Sequence, residues 1–158
     1  MKLKTRKRIR VFGKLLFVTY VVMLLYFLLF SEMYGRTGTR MEYAYNLELF
    51  KEIKRFWMHR DILGPYVVLG NLLGNVLIFI PFGFFLPMAC KYRNVIITVV
   101  YTFMLSFSVE VIQLLTRIGS FDVDDILLNT IGGLLGYIIY ALCCYARRKY
   151  VKKKTREQ

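Results

Sequence analysis

The chain has 158 residues, 57% of them hydrophobic, yet it carries a formal charge of +13 and a mean hydropathy of +0.47. In a soluble domain apolar and charged residues intermix. Here they separate into blocks, which excludes an ordinary soluble fold, and apolar blocks of about 20 residues match a hydrocarbon core of roughly 30 Å. The three cysteines and single histidine stand in no CxxC or Cys/His spacing that suggests zinc, and they argue against a disulfide scaffold.

The first ten residues form a basic tail (Lys2, Lys4, Arg6, Lys7, Arg8, Arg10), followed by a first span over about 11–30. Its apolar run is too long for a signal-peptide core, and Ser31-Glu32-Met33-Tyr34 is no small-residue cleavage site, so a retained helix is expected. In the loop 31–65, Leu49, Phe50, Ile53, Phe56 and Trp57 share one arc of a helical wheel, and Glu48, Lys51, Glu52 and Arg55 lie opposite. This predicts an amphipathic helix ending near Gly64-Pro65, either anchored at the membrane surface through Trp57 or laid as a lid over the spans. His59, alone in that loop, is given no role.

The second span, about 66–87, carries Asn71 and Asn75 four apart, then Pro81, which interrupts the backbone ladder and predicts a kink, with Gly83 beyond. Lys91 and Arg93 separate it from a third span over about 95–115. There Ser106, Glu110, Gln113 and Arg117 recur at four, three and four residues, one stripe on an otherwise apolar helix. A carboxylate at Glu110, roughly 7–8 Å of rise from the span's end, is costly against lipid, so the stripe should face the bundle or a wet cavity. A turn holding Asp122, Asp124 and Asp125 leads into a fourth span, about 126–146. On it Asp125, Asn129, Gly132 and Gly136 share a stripe, the two glycines forming a GxxxG step for close helix approach, with Gly133 beside them. A second basic tail, 147–158, closes the chain.

The reading is an all-α, four-helix transmembrane bundle: tails at 1–10 and 147–158, a membrane domain at 11–146. Both tails and the Lys91/Arg93 turn are basic, and four spans put them on one face, so the positive-inside rule predicts N-in and C-in. The tails then serve as orientation signals attracted to anionic lipid, not as a nucleic-acid site. Cys90, Cys143 and Cys144 fall at the cytoplasmic span ends, where thiols stay reduced. No internal repeat is visible. The alternating spans bring Asn71, Asn75, Glu110, Gln113, Arg117, Asp122, Asp124, Asp125 and Asn129 to one depth near the outer leaflet. That is more charge than helix packing requires, and it marks a candidate site.

These residues carry a resemblance. N-x-x-x-N-x-x-x-x-x-P-x-G (Asn71, Asn75, Pro81, Gly83) is followed by E-x-x-Q (Glu110, Gln113). After an arginine turn (Arg117) comes D-x-x-D-x-x-x-N-x-x-G-G-x-x-G (Asp122, Asp125, Asn129, Gly132, Gly133, Gly136). Over spans two to four this resembles the VanZ-like family, although Arg117 stands further from Asp122 than in many members. The resemblance implies a small multi-pass protein of the bacterial cytoplasmic membrane. It also implies a link to low-level resistance against teicoplanin-type glycopeptides without an altered peptidoglycan precursor.

Three mechanisms follow. The cluster would bind the head of a lipid-linked cell-wall precursor or hinder a lipoglycopeptide's anchoring, with Arg117 forking onto phosphate or carboxylate. Alternatively Glu110, Asp122, Asp124 and Asp125 would hold Mg²⁺ or Ca²⁺ for a small membrane enzyme acting on a lipid-linked substrate. A transporter or flippase subunit is the third reading. With no histidine base and no nucleophile–base pair in the cluster, binding is favoured over catalysis.

Overall fold

The computed structural model describes residues 3–30, 42–90 and 93–156. Lys2, the Ser31–Tyr34 stretch, Lys91 and Glu157 lie outside them. The order is α1 (Leu3–Phe30), β1 (Tyr45–Asn46), α2 (Lys51–Met58), α3 (Arg60–Leu63), α4 (Pro65–Ala89), α5 (Val95–Thr116), β2 (Phe121–Asp122) and α6 (Val123–Arg156). Four of the helices are long and apolar enough to cross a bilayer, over Val11–Leu29, Val68–Ala89, Val95–Thr116 and Val123–Thr155. The chain is an all-α, multi-pass membrane protein. Neither basic tail is set off by a break in the backbone, since α1 starts at Leu3 and α6 runs on to Arg156.

Direct contacts order the bundle. Phe17 of α1 packs its ring at a tilt against Phe82 of α4, and the Tyr20 hydroxyl donates to the Ile78 carbonyl, in the turn before Pro81 where a missing N–H loosens the ladder. The α4 helix nevertheless continues through both Pro81 and Pro87. Leu24, Leu28, Phe79, Phe82, Leu86 and Val109 make the apolar core between α1, α4 and α5. The α4 and α6 helices run parallel and touch backbone to backbone. A methyl group on Gly132 would stand 2.2 Å from the Val76 carbonyl oxygen, and one on Gly136 2.0 Å from that of Ile80. Gly83 meets Gly133 as closely, while Gly133 also abuts Thr102 of α5. Only residues without a Cβ permit this approach, so the glycine stripe read from the sequence is the α4–α6 seam.

The α5 helix presents Thr98, Thr102, Ser106, Val109, Glu110 and Gln113 inward, all buried. Thr98 and Thr102 donate to carbonyls four residues back, which satisfies their hydroxyls inside the helix. Outward faces are apolar and open: Val22, Met23, Leu77, Tyr101, Met104 and Leu142 are each more than half exposed. A soluble fold would bury such residues. A bundle whose solvent is lipid leaves them outside and turns its polar groups in.

At one end of the bundle, here the loop end, lie the α1–α4 and α5–α6 connections. Two short strands pair there in parallel, Tyr45 opposite Phe121 and Asn46 opposite Asp122. This pairing ties the first connection to the second. Two residues are too few to show a period, so the sequence carried no sign of it.

Candidate functional site

At the loop end a cavity of about 210 Å³ opens between the helices. From α4 it is lined by Asn71, Leu72 and Asn75, and from α5 by Gln113. The α5–α6 turn and the start of α6 add Gly119, Ser120, Asp122, Asp124, Asp125 and Leu128. One side is closed by α2 through Glu52, Ile53, Arg55 and Phe56.

The position of α2 is set by Asp124. Its carboxylate is 1% exposed and accepts from three backbone amides: Phe50, Glu52 (2.9 Å) and Ile53 (3.3 Å). These are amides that the first turn of a helix leaves without partners, and the residue at the N-cap, Phe50, offers no side-chain cap. A residue 74 positions further along the chain does so instead. Phe50, just before the helix, takes a left-handed backbone with φ 66°.

Asp122 works beside it. Its Oδ1 accepts from the Asp124 amide at 2.8 Å and from Asn46 Nδ2 at 3.1 Å. Its own amide donates to Glu110 Oε2 at 3.0 Å. Glu110, 3% exposed, therefore braces the turn from within α5. Asn75 Nδ2 donates to Asp125 Oδ1, joining α4 to α6 above the glycine seam. Gln113 Nε2 donates to the Leu28 carbonyl at 2.9 Å, securing the last turn of α1.

Of the nine clustered residues expected from sequence, six line the cavity: Asn71, Asn75, Gln113, Asp122, Asp124 and Asp125. Glu110 sits behind the turn. Asn129 lies a turn deeper, its Nδ2 donating to Ser106 Oγ at 2.8 Å, with no partner for its Oδ1 among the described residues. Arg117 is also off the lining. It ends α5 with φ 58°, and its guanidinium rests over the Tyr43 ring at 4.4 Å. The phosphate fork expected of it therefore does not face the cavity.

The expected Mg²⁺ or Ca²⁺ site is not assembled either. Among the described residues no three His, Cys, Asp or Glu side chains are arranged to hold a metal ion. Glu110 Oε2 and both Asp124 oxygens accept from backbone amides, so these two of the suggested ligands act as a brace and a cap.

Sequence reasoning missed Asn46, Glu52, Arg55, Gly119 and Ser120. The wheel had set Glu52 and Arg55 on the polar face of α2, which here turns partly inward. Arg55 Nη2 bridges Glu52 at 2.6 Å. The apolar arc divides: Ile53 and Phe56 line the cavity, while Leu49, Phe50 and Trp57 remain about half exposed or more. The helix thus has one edge over the cavity and one facing out.

The cavity is acidic. Burial raises the Glu52 carboxyl above its ordinary 4.5; Arg55 opposes this, and Asp122 and Asp124 reinforce it. Burial likewise raises Asp122 above 3.8, against the lowering effect of the hydrogen bonds from the Asp124 amide and Asn46.

The VanZ/LLP1 family model matches residues 17–144, a stretch that contains the cavity, the α2 cover and the glycine seam. The chain belongs to the VanZ-like family. Among curated proteins it is similar to Protein VanZ of Enterococcus faecium, with 37% identity over 83 residues. That alignment covers 51% of this chain and 52% of the relative, so the chain spans about half the length of the curated protein it matches. No solved structure matches it. The VanZ-like assignment agrees with the motif residues, which fall at the α4–α6 seam (Gly83, Gly132, Gly133, Gly136) and around the cavity (Asn71, Asn75, Gln113, Asp122, Asp125).

Proposed function

We propose that this VanZ-like protein lies in the bacterial cytoplasmic membrane with both termini inside, and holds the polar head of a lipid-linked envelope molecule in the cavity beneath α2. By holding such a head it gives, or resembles a protein that gives, low-level protection against teicoplanin-type glycopeptides. The observation that carries this reading is the cavity itself: one space of about 210 Å³ that gathers polar groups from four helices and a turn at one end of an otherwise lipid-facing bundle. Such a site presents hydrogen-bonding groups to a head while Ile53, Phe56, Leu72 and Leu128 offer apolar surface to whatever chain the head carries. The basic residues at the opposite end supply the orientation. Binding is preferred to catalysis because Glu110 and Asp124, two of the carboxylates that an enzyme would use as base or metal ligands, are engaged with backbone amides.

The test is teicoplanin susceptibility of a sensitive host expressing the chain, alongside two variants matched for membrane level. Leu72→Trp fills the cavity and Asp125→Asn removes a charge from its wall; both are expected to lose protection. Protection unchanged in both would overturn the reading. Cysteine labelling from outside, strong at an introduced Ser120→Cys and absent at Thr155→Cys, checks the orientation.

A further inference from the structure

We propose that the cavity beneath α2 selects a primary ammonium group carried on a membrane amphiphile, and disfavours anionic heads that lack one. This deepens the headgroup reading above and rests on it. Among the described residues the lining holds four carboxylates, Glu52, Asp122, Asp124 and Asp125, against a single cation, Arg55. That cation is already bridged to Glu52 at 2.6 Å. The other arginine near the turn, Arg117, lies outside the lining over Tyr43. The starts of α2 and α6 offset part of the negative charge, but a helix terminus carries at most about half a unit. The balance stays negative. An anionic head without an amine would meet that charge in a half-enclosed site where water screens it weakly, whereas an ammonium would relieve it.

The Glu52 and Asp122 carboxyls are raised first by burial; Asp122 and Asp124 add to this for Glu52, and Asp124 for Asp122. The hydrogen-bond inventory agrees. An ammonium has three donors and no acceptor, so it needs oxygens, and the wall is rich in carboxylate and amide oxygens. A volume of about 210 Å³ equals about seven water molecules' share of liquid, more than an ammonium alone and enough for the few heavy atoms that carry it. Two membrane sources have this chemistry: an ethanolamine phospholipid, and an amine on a lipid-linked peptide.

The experiment uses the full chain in neutral dodecyl maltoside micelles. A reporter thiol is introduced by Leu72→Cys in a background of Cys90→Ser, Cys143→Ser and Cys144→Ser, and the maleimide labelling rate reads occupancy. The probes are dihexanoylphosphatidylethanolamine and the decyl amide of Nα-acetyl-lysine, each beside its N-acetylated counterpart, with dihexanoylphosphatidylglycerol as the anionic head. At least one free amine is expected to protect the thiol at about tenfold lower concentration than its acetylated partner, the size of one charge-assisted hydrogen bond. Whichever amine is tighter identifies the source. Glu52→Gln should narrow the preference about threefold, and Arg55→Gln should leave it equal or larger. Equal protection by amine and acetylated forms, or tighter binding of phosphatidylglycerol, or loss of amine binding in Arg55→Gln, overturns the proposal while leaving a headgroup site standing. Protection by none of the probes removes both. Shifts in thermal unfolding of the unaltered chain by the same probe pairs give the comparison independently of any substitution.

Discussion

Replacing Asp124 with alanine should release α2 from the bundle while leaving the spans intact. One carboxylate accepts from the amides of Phe50, Glu52 and Ile53, and α2 has no cap of its own. A side-chain cap at a helix start contributes about 0.5–2 kcal/mol, and hydrogen bonds to an ionised group about 1.5–3 kcal/mol. When α2 lifts, water hydrates its freed amides, so the lower part of that range applies. About 2 kcal/mol then corresponds to about a thirtyfold rise in the open fraction. Amide hydrogen exchange followed by mass spectrometry, on protein in micelles, reads this directly. Protection across 50–53 should fall about thirtyfold, with exchange within α4 and α5 unchanged. Asp124→Asn keeps one acceptor oxygen but loses the charge, and should fall between. A change at 50–53 of less than about threefold would refute the trans-cap as the clasp of α2. Equal loss of protection throughout the spans would show instead that Asp124 holds the whole bundle.

Other consequences concern packing and pH. Gly136→Val places a Cβ 2.0 Å from the Ile80 carbonyl oxygen, so α4 and α6 must part. A loss of about 1–3 kcal/mol or more in thermal unfolding is expected, whereas Gly70→Ala, which meets nothing within 4 Å, should be neutral or mildly stabilising. Gln113→Leu leaves the Leu28 carbonyl without its amide donor and should destabilise the loop end by about 1–3 kcal/mol, seen as faster exchange in the last turn of α1. Because the folded carboxyls of Glu52 and Asp122 sit above their ordinary 4.5 and 3.8, their neutral forms are favoured by the fold. Their stabilising contribution is full below those ordinary values and is lost as pH rises through the folded ones. Exchange at α2 should therefore quicken with pH beyond the intrinsic base-catalysed rise, and Glu52→Gln should flatten that excess.

Much of the architecture was legible because a bilayer imposes strong rules on sequence. Apolar runs near 20 residues, the basic blocks between them and the Gly132/Gly136 step are local patterns. The first and last translate into spans and a close helix seam with little help from context. The polar stripes were legible in the same way. Lipid leaves Glu110, Gln113 and Asn129 nowhere to go but inward, so their burial follows from residue type and spacing alone.

What the sequence could not decide was which polar atom meets which. Asp124 looked like one ligand among three aspartates and turns out to cap a helix through amides 71 to 74 residues upstream. Arg117 looked like the cluster's cation, yet Arg55, read as part of the polar face of an amphipathic helix, lines the cavity instead. Hydrogen bonds reach only about 3 Å, so which group a carboxylate meets depends on contacts as local as the two-residue pairing of Tyr45 and Asn46 with Phe121 and Asp122. The sequence by itself determined that this chain is a four-span bundle with its polar groups turned inward, because burial in lipid is set by side-chain chemistry residue by residue. Only the tertiary structure decided that those groups clasp α2 over a cavity, because that depends on ångström-scale contacts between segments far apart in the chain.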